Sequence, residues 1–175
     1  SDGHWIISAS GDETLKVWDA ATGAEHLTLT GHTNSVTGCA VSPNGRFLVS
    51  ASRDETLKVW DMGTGAERLT LTGHTNSVTG CAVSPDGCWI VSASGDETLK
   101  VWDAATGTER LTLTGHTDSV TGCAVSPDGH WIVSASSDNT LKVWDVVTGA
   151  ERLTLTGHTH SVTGCAVSPD GRWIV

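Results

Sequence analysis

Serine, histidine and aspartate recur together in this sequence in a way that raises the question of hydrolytic chemistry. His32, Ser50 and Asp54 return 42 residues on as His74, Ser92 and Asp96, and again as His116, Ser134 and Asp138. A serine activated by a histidine that a carboxylate orients is the arrangement of nucleophilic hydrolases. Two features argue against that chemistry. No Gly-x-Ser-x-Gly turn presents a serine at a strand end, and each serine sits inside an apolar run such as Phe47-Leu48-Val49-Ser50-Ala51. A set copied at fixed spacing reads as scaffold instead. His158 and His160 stand two apart, which puts both on one side of a strand, but no Cys-x-x-Cys pair accompanies them. No catalytic residue, metal or cofactor is expected.

Cys39, Cys81, Cys123 and Cys165 occupy one column in the run Val-Thr-Gly-Cys-Ala-Val, where a thiol behaves as a small buried hydrophobe. Cys88 stands apart, after a turn glycine, and is expected to be exposed. Unpaired thiols suit a reducing compartment, and no charged-then-apolar leader is visible, so a cytoplasmic location is expected. The chain begins with Ser1 rather than Met and reads as excised from something longer or processed. No apolar run approaches the roughly 18 residues that cross a bilayer, so neither a membrane span nor a membrane partner is expected. The formal charge of -10 is spread over recurrent carboxylates such as Asp19, Asp61, Asp103 and Asp145, and the ten Lys and Arg recur in the same spaced way. Without a basic stripe, nucleic acid is not expected as a partner.

What positions these side chains is the repeat itself. Trp-Asp recurs at Trp18-Asp19, Trp60-Asp61, Trp102-Asp103 and Trp144-Asp145, again 42 apart. The repeats run 1–42, 43–84, 85–126 and 127–168, and the remaining 169–175 duplicates the start of a repeat. Within one unit, Ser35 to Ser42 reads as a strand buried on both faces, followed by the turn Pro43-Asn44-Gly45. Phe47 to Ser52 makes a second strand. After the reversal at Arg53-Asp54-Glu55, Thr56 to Asp61 makes a third, with Leu57 and Val59 on one face and Lys58 on the other. Arg68 to Thr72 closes the unit with Leu inward and Thr or Arg outward. Each repeat is therefore a four-stranded meander without a competing helical period. Sheets graded from apolar to half polar suit a radial arrangement, which leaves few long edges exposed.

The residues Gly31-His32, Ser42 to Gly45, Ser50 to Ser52 and Lys58-Val59-Trp60-Asp61 together resemble the WD-repeat family of β-propellers. The likeness covers essentially the whole chain. It implies an all-β propeller of four-stranded antiparallel blades, with each sequence repeat straddling two blades. Because 29 of the 42 columns are identical in all four copies, the chain also resembles the propeller arrays of bacterial multidomain signalling proteins. The family carries a structural hydrogen-bond tetrad in each blade. Transferred by position, the resemblance implies His32, Ser50, Asp54 and Trp60; His74, Ser92, Asp96 and Trp102; and His116, Ser134, Asp138 and Trp144. Indole donates, carboxylate accepts, and hydroxyl and imidazole do both, so the four side chains satisfy one another.

Ser8, Asp12 and Trp18 form a fourth set without its histidine, and His158 begins an inner strand without a blade. The expectation is that these half-blades join, within one chain or between two. Four repeats are few for a ring of this type, whereas two chains make eight blades, so a homodimer is expected. Only one of the duplicated ends, Ser1 to Ile7 or Pro169 to Val175, fits a closed ring, and the other is expected to be displaced. Copy-to-copy variation points to recognition: Gly11, Arg53, Gly95 and Ser137 before the tetrad aspartate, and Asn34, Asn76, Asp118 and His160 before the inner strand, mark one rim. By resemblance this rim takes a peptide or protein. The functional expectation is a noncatalytic interaction scaffold, with a purely structural, amplified or engineered array as the alternative.

Overall fold

The computed structural model describes residues 3–175. Strand follows strand throughout, in the order β1 (Trp5–Ala9), β2 (Leu15–Asp19), β3 (Glu25–Leu29), β4 (Val36–Val41), β5 (Phe47–Ser52), β6 (Leu57–Asp61), β7 (Glu67–Leu71), β8 (Val78–Val83), β9 (Trp89–Ser94), β10 (Leu99–Asp103), β11 (Glu109–Leu113), β12 (Val120–Val125), β13 (Trp131–Ser136), β14 (Leu141–Asp145) and β15 (Glu151–Leu155). They form antiparallel meander sheets: β4-β5-β6-β7, β8-β9-β10-β11 and β12-β13-β14-β15 have four strands each, and β1-β2-β3 has three. The three-stranded first sheet is the incomplete end unit expected of the N-terminal half-blade. In every other sheet the innermost strand lies N-terminal to the Pro-x-Gly turn, a place that for β1 would precede residue 1.

Turn chemistry fixes the meander. In the second unit Asn44 accepts from the Arg46 N–H and the Ser42 hydroxyl, closing the first turn. Asp61 Oδ1 gathers the N–H groups of Gly63 and Thr64 in the last. The last two strands of each sheet shift register at the tryptophan, between Val59 and Trp60 in the second unit. A bulge of this kind re-aims a side chain.

The core lies between sheets. Phe47, Val49, Ala51, Leu57 and Leu71 of one sheet pack against Val78, Ile90 and Trp102 of the next, and the third and fourth sheets meet in the same way. The innermost strand was expected to be the most buried, and it is not: β5 and β9 are buried along their whole length, whereas β4 and β8 are mostly half-buried. The second strand is the one sandwiched by both neighbours. The innermost strands carry small residues because they converge. A Cβ on Gly38 would lie 3.8 Å from the Gly80 Cα, and one on Gly80 would lie 3.9 Å from the Gly122 Cα. Thr37 and Thr79 each donate across this junction, to the carbonyls of Val78 and Val120, at 2.6 Å.

The two ends of the array remain open. Ile6 is 55% exposed where its counterparts Leu48, Ile90 and Ile132 are fully buried, and Leu153 is 56% exposed. Neither duplicated end is displaced from its own chain. Ile7 pairs with Val17 in the first sheet, while Ile174 bridges Val167 in the register by which Ile132 meets Val125. The first copy lies in β1 and the second makes an isolated bridge outside the named strands, in equivalent positions of successive units, which is the arrangement of an open array rather than of a closed ring. Ser1 and Asp2 of the first copy lie outside the described residues.

Candidate functional site

The polar groups predicted to matter are buried between sheets, and three of the four sets come together. His32 sits just before the innermost strand, Ser50 in β5, Asp54 in the following turn and Trp60 in β6. The His32 Nε2 to Ser50 Oγ and Nδ1 to Asp54 Oδ2 distances are both 2.7 Å, and the Trp60 indole donates to Ser50 Oγ at 2.9 Å. The second set, His74, Ser92, Asp96 and Trp102, repeats these contacts, as does the third, His116, Ser134, Asp138 and Trp144.

Proton logic fixes the direction of the chain. The indole can only donate and the carboxylate can only accept, so with a neutral ring the serine hydroxyl donates to Nε2 and Nδ1–H donates to the aspartate. Burial holds His74 and His116 below the ordinary histidine range, against the pull of Asp96 and Asp138. Burial also works to raise the Asp54 carboxyl. The Thr56 hydroxyl, the Thr33 N–H and His32 outweigh it and bring the carboxyl down to about 2. Thr56 and its counterparts Thr98 and Thr140 belong to the site and were not singled out from the sequence, although their unbroken column beside the aspartate was the available signal.

Connectivity alone would be that of a Ser-His-Asp triad. Burial denies it that chemistry: Ser50, Ser92 and Ser134 have no exposed surface, and the indole occupies the other side of each hydroxyl. The glycine before each histidine is part of the same construction. At Gly31, φ is 154° and a Cβ would lie 3.2 Å from the Trp60 ring and 3.1 Å from Glu67 Oε2. On the same face, beside the tryptophan, Lys58 bridges Glu67 and Thr70 at 2.8 and 2.9 Å, a trio not singled out from the sequence.

The fourth set is divided. Trp18 donates to Ser8 Oγ at 2.9 Å and Asp12 is held by Thr14, but His158 lies exposed at the far end of the array, with no hydrogen bond to either Ser8 or Asp12. Beside His158 a cleft of about 390 Å³ is lined by Leu141, Leu155 and Val162. A Cβ on Gly157 would meet nothing there within 4 Å.

Among the rim positions Asn76 and Gly95 meet directly, and the others are linked through the serines beside them. Asn34, Asn76 and Asp118 each accept the N–H of the following serine, and Asn76 also donates to the Gly95 carbonyl. The Arg53 and Ser137 N–H groups bond the carbonyls of Ser35 and Ser119. The Ser137 hydroxyl meets Ser161 next to His160, and the Gly11 carbonyl accepts from Ser35. Arg53, Asn34, Asn76, Asp118 and His160 are exposed.

The family model described as "WD domain, G-beta repeat" matches residues 1–19, 23–61, 65–103, 107–145 and 149–175. The chain belongs to the WD-repeat family. Curated WD-repeat relatives align with about one repeat of it. It is 46% identical over 44 residues to the nuclear distribution protein PAC1 of Mycosarcoma maydis, covering 25% of this chain and 10% of that protein. It is 51% identical over 41 residues to the pre-mRNA-splicing factor PRP46 of Saccharomyces cerevisiae (23% and 9%), and 43% over 44 residues to a lissencephaly-1 homolog of Branchiostoma floridae (25% and 11%). These alignments thus span about a tenth of each relative. Membership places these WD repeats in the class of interaction scaffolds, and the four WD units are blades of a β-propeller.

Proposed function

We propose that this WD-repeat chain is a noncatalytic interaction scaffold whose ring is completed by a second copy, giving two sets of four blades, and whose rim takes a peptide or protein. The observation that carries the reading is a mismatch between the two ends. Trp60, Trp102 and Trp144 each pack into the preceding sheet, whereas among the described residues no sheet precedes that of Trp18. At the other end the cluster of Val133, Ala135, Leu141 and Val162 contains no such tryptophan, and the cleft beside His158 stands where one would fit.

A second copy supplies each missing piece. Its Trp18 and Ser8 would meet His158, its Gly38 would approach Gly164, and its Val36 carbonyl would accept from Thr163, repeating contacts made inside the chain. Ile174 packs against the Val133 cluster where Ile6 of that copy belongs, so closing the ring requires one of the duplicated ends to give way. Burying the exposed apolar ends would contribute about 25 cal/mol per Å².

Co-refolding a tagged and an untagged copy tests the closure. When equal amounts are mixed, the untagged copy should be retained at about half the amount of the tagged one, and retention of the tagged copy alone would contradict it. For the rim, Arg53→Ala with Asp118→Ala should alter capture of a peptide partner while leaving the folded spectrum unchanged. Absence of any rim ligand in the same test would favour a purely structural array.

A further inference from the structure

On the side of the array carrying the Pro-x-Gly turns, the groove between the second and third sheets differs from its neighbours in the residues that vary between copies. Arg46 and Arg68 line it from one sheet, and Cys88 and Arg110 from the next. The corresponding four positions are His4, His26, Arg46 and Arg68 one groove earlier, and Cys88, Arg110, His130 and Arg152 one groove later. Only the middle groove collects three arginines. Arg110 is committed to Asp103 at 2.5 Å, and Arg152 to Asp145, but among the described residues neither Arg46 nor Arg68 forms an ion pair within 4.0 Å.

The floor suits an organic group. Phe47 and Ala104 are buried beneath a cleft of about 360 Å³, where the later groove has Val146 and Val147 in place of Ala104 and Ala105. Of the carboxylates nearby, Asp86 Oδ1 accepts from Ser84 and the Cys88 N–H and Asp103 holds Arg110, while Asp61, whose Oδ1 accepts from Gly63 and Thr64, feels the charge of Arg68 without forming an ion pair with it.

We infer that this groove binds a small phosphate monoester, its dianion held by the guanidinium groups of Arg46 and Arg68 and its organic part lying over Phe47 and Ala104. Two planar guanidinium groups match the oxygens of a phosphate dianion better than point charges would.

Cys88 supplies a reporter within the groove. It is the exposed cysteine, while Cys39, Cys81, Cys123 and Cys165 are half-buried and their thiols are pushed up by burial. The full chain is alkylated at low salt with iodoacetate or with neutral iodoacetamide, and modification of Cys88 is followed by peptide mass mapping. The iodoacetate-to-iodoacetamide rate ratio should fall about threefold for each of R46Q and R68Q, as expected for a charge several ångströms away in water. Millimolar phenyl phosphate should slow iodoacetate at Cys88 in the wild type far more than phenol or phenylacetate does, and should lose that effect in the double variant. Both arginines are exposed, so the variants should keep the wild-type circular dichroism spectrum. An unchanged rate ratio in the double variant, equal protection by phenylacetate, or no protection by phenyl phosphate would each overturn the assignment.

Discussion

Replacing Ser92 by alanine removes one hydroxyl and leaves two buried partners without it. The Trp102 indole loses its acceptor at 2.9 Å and His74 Nε2 loses its donor at 2.7 Å, and no water can reach a serine position with no exposed surface. Each orphaned buried group costs about 1–3 kcal/mol, so S92A should destabilise by about 2–6 kcal/mol. The matching change at the open end, Ser8→Ala, affects Trp18 alone, in a half-buried place that water can enter, and should cost less than about 1 kcal/mol in the single chain. Where the ring closes and His158 reaches Ser8, S8A should cost about as much as S92A. Guanidinium unfolding followed by tryptophan fluorescence, at several protein concentrations, reads both. The S8A penalty should grow with concentration while the S92A penalty holds. An S92A variant within about 0.5 kcal/mol of wild type would refute the claim that the tetrad is closed against solvent, because that is the range of ordinary surface substitutions.

Three further outcomes follow from the same geometry. Acid should destabilise the fold in two stages. His74 and His116 titrate below the ordinary histidine value of 6.5, so the unfolded chain binds protons first and stability falls as pH drops below that value; the depressed Asp54 adds a further loss between about 3.8 and about 2, both visible in a pH series of thermal melts. Glu13, Glu55 and Glu97 hold φ near 70° where the fourth unit has Asn139, so Glu55→Asn should raise stability by about 0.5–1 kcal/mol in denaturant titrations and Asn139→Glu should lower it. Gly115→Ala places a Cβ 3.2 Å from the Trp144 ring at φ 153° and should cost about 1–3 kcal/mol, whereas Gly157→Ala, with nothing within 4 Å, should cost less in the open chain.

Strands and turns were legible because the strand period and the Pro-x-Gly signals act over a few residues. Phe47 to Ser52, expected as the second strand, is β5 to the residue. Burial was less legible. The run around Cys39 looked like the innermost, most enclosed strand, but its apolar character comes from small side chains that let backbones converge, and enclosure belongs to β5 and β9 between two sheets. The tetrad residues lie far apart in sequence, so resemblance rather than spacing located them, while Thr56 was marked only by its unbroken column two residues after the aspartate. The arginine groove arises between repeats, where Arg46 and Arg68 of one unit face Cys88 and Arg110 of the next. No single repeat contains those four residues.

The central claim is that the unmatched ends, Trp18 at one and the cleft beside His158 at the other, are halves of one blade completed by a second copy. The mass of the particle in solution tests it most directly, by size-exclusion chromatography with light scattering across a range of concentrations. The account predicts a single species of twice 18.2 kDa. A stably folded species of 18.2 kDa at every concentration would contradict it.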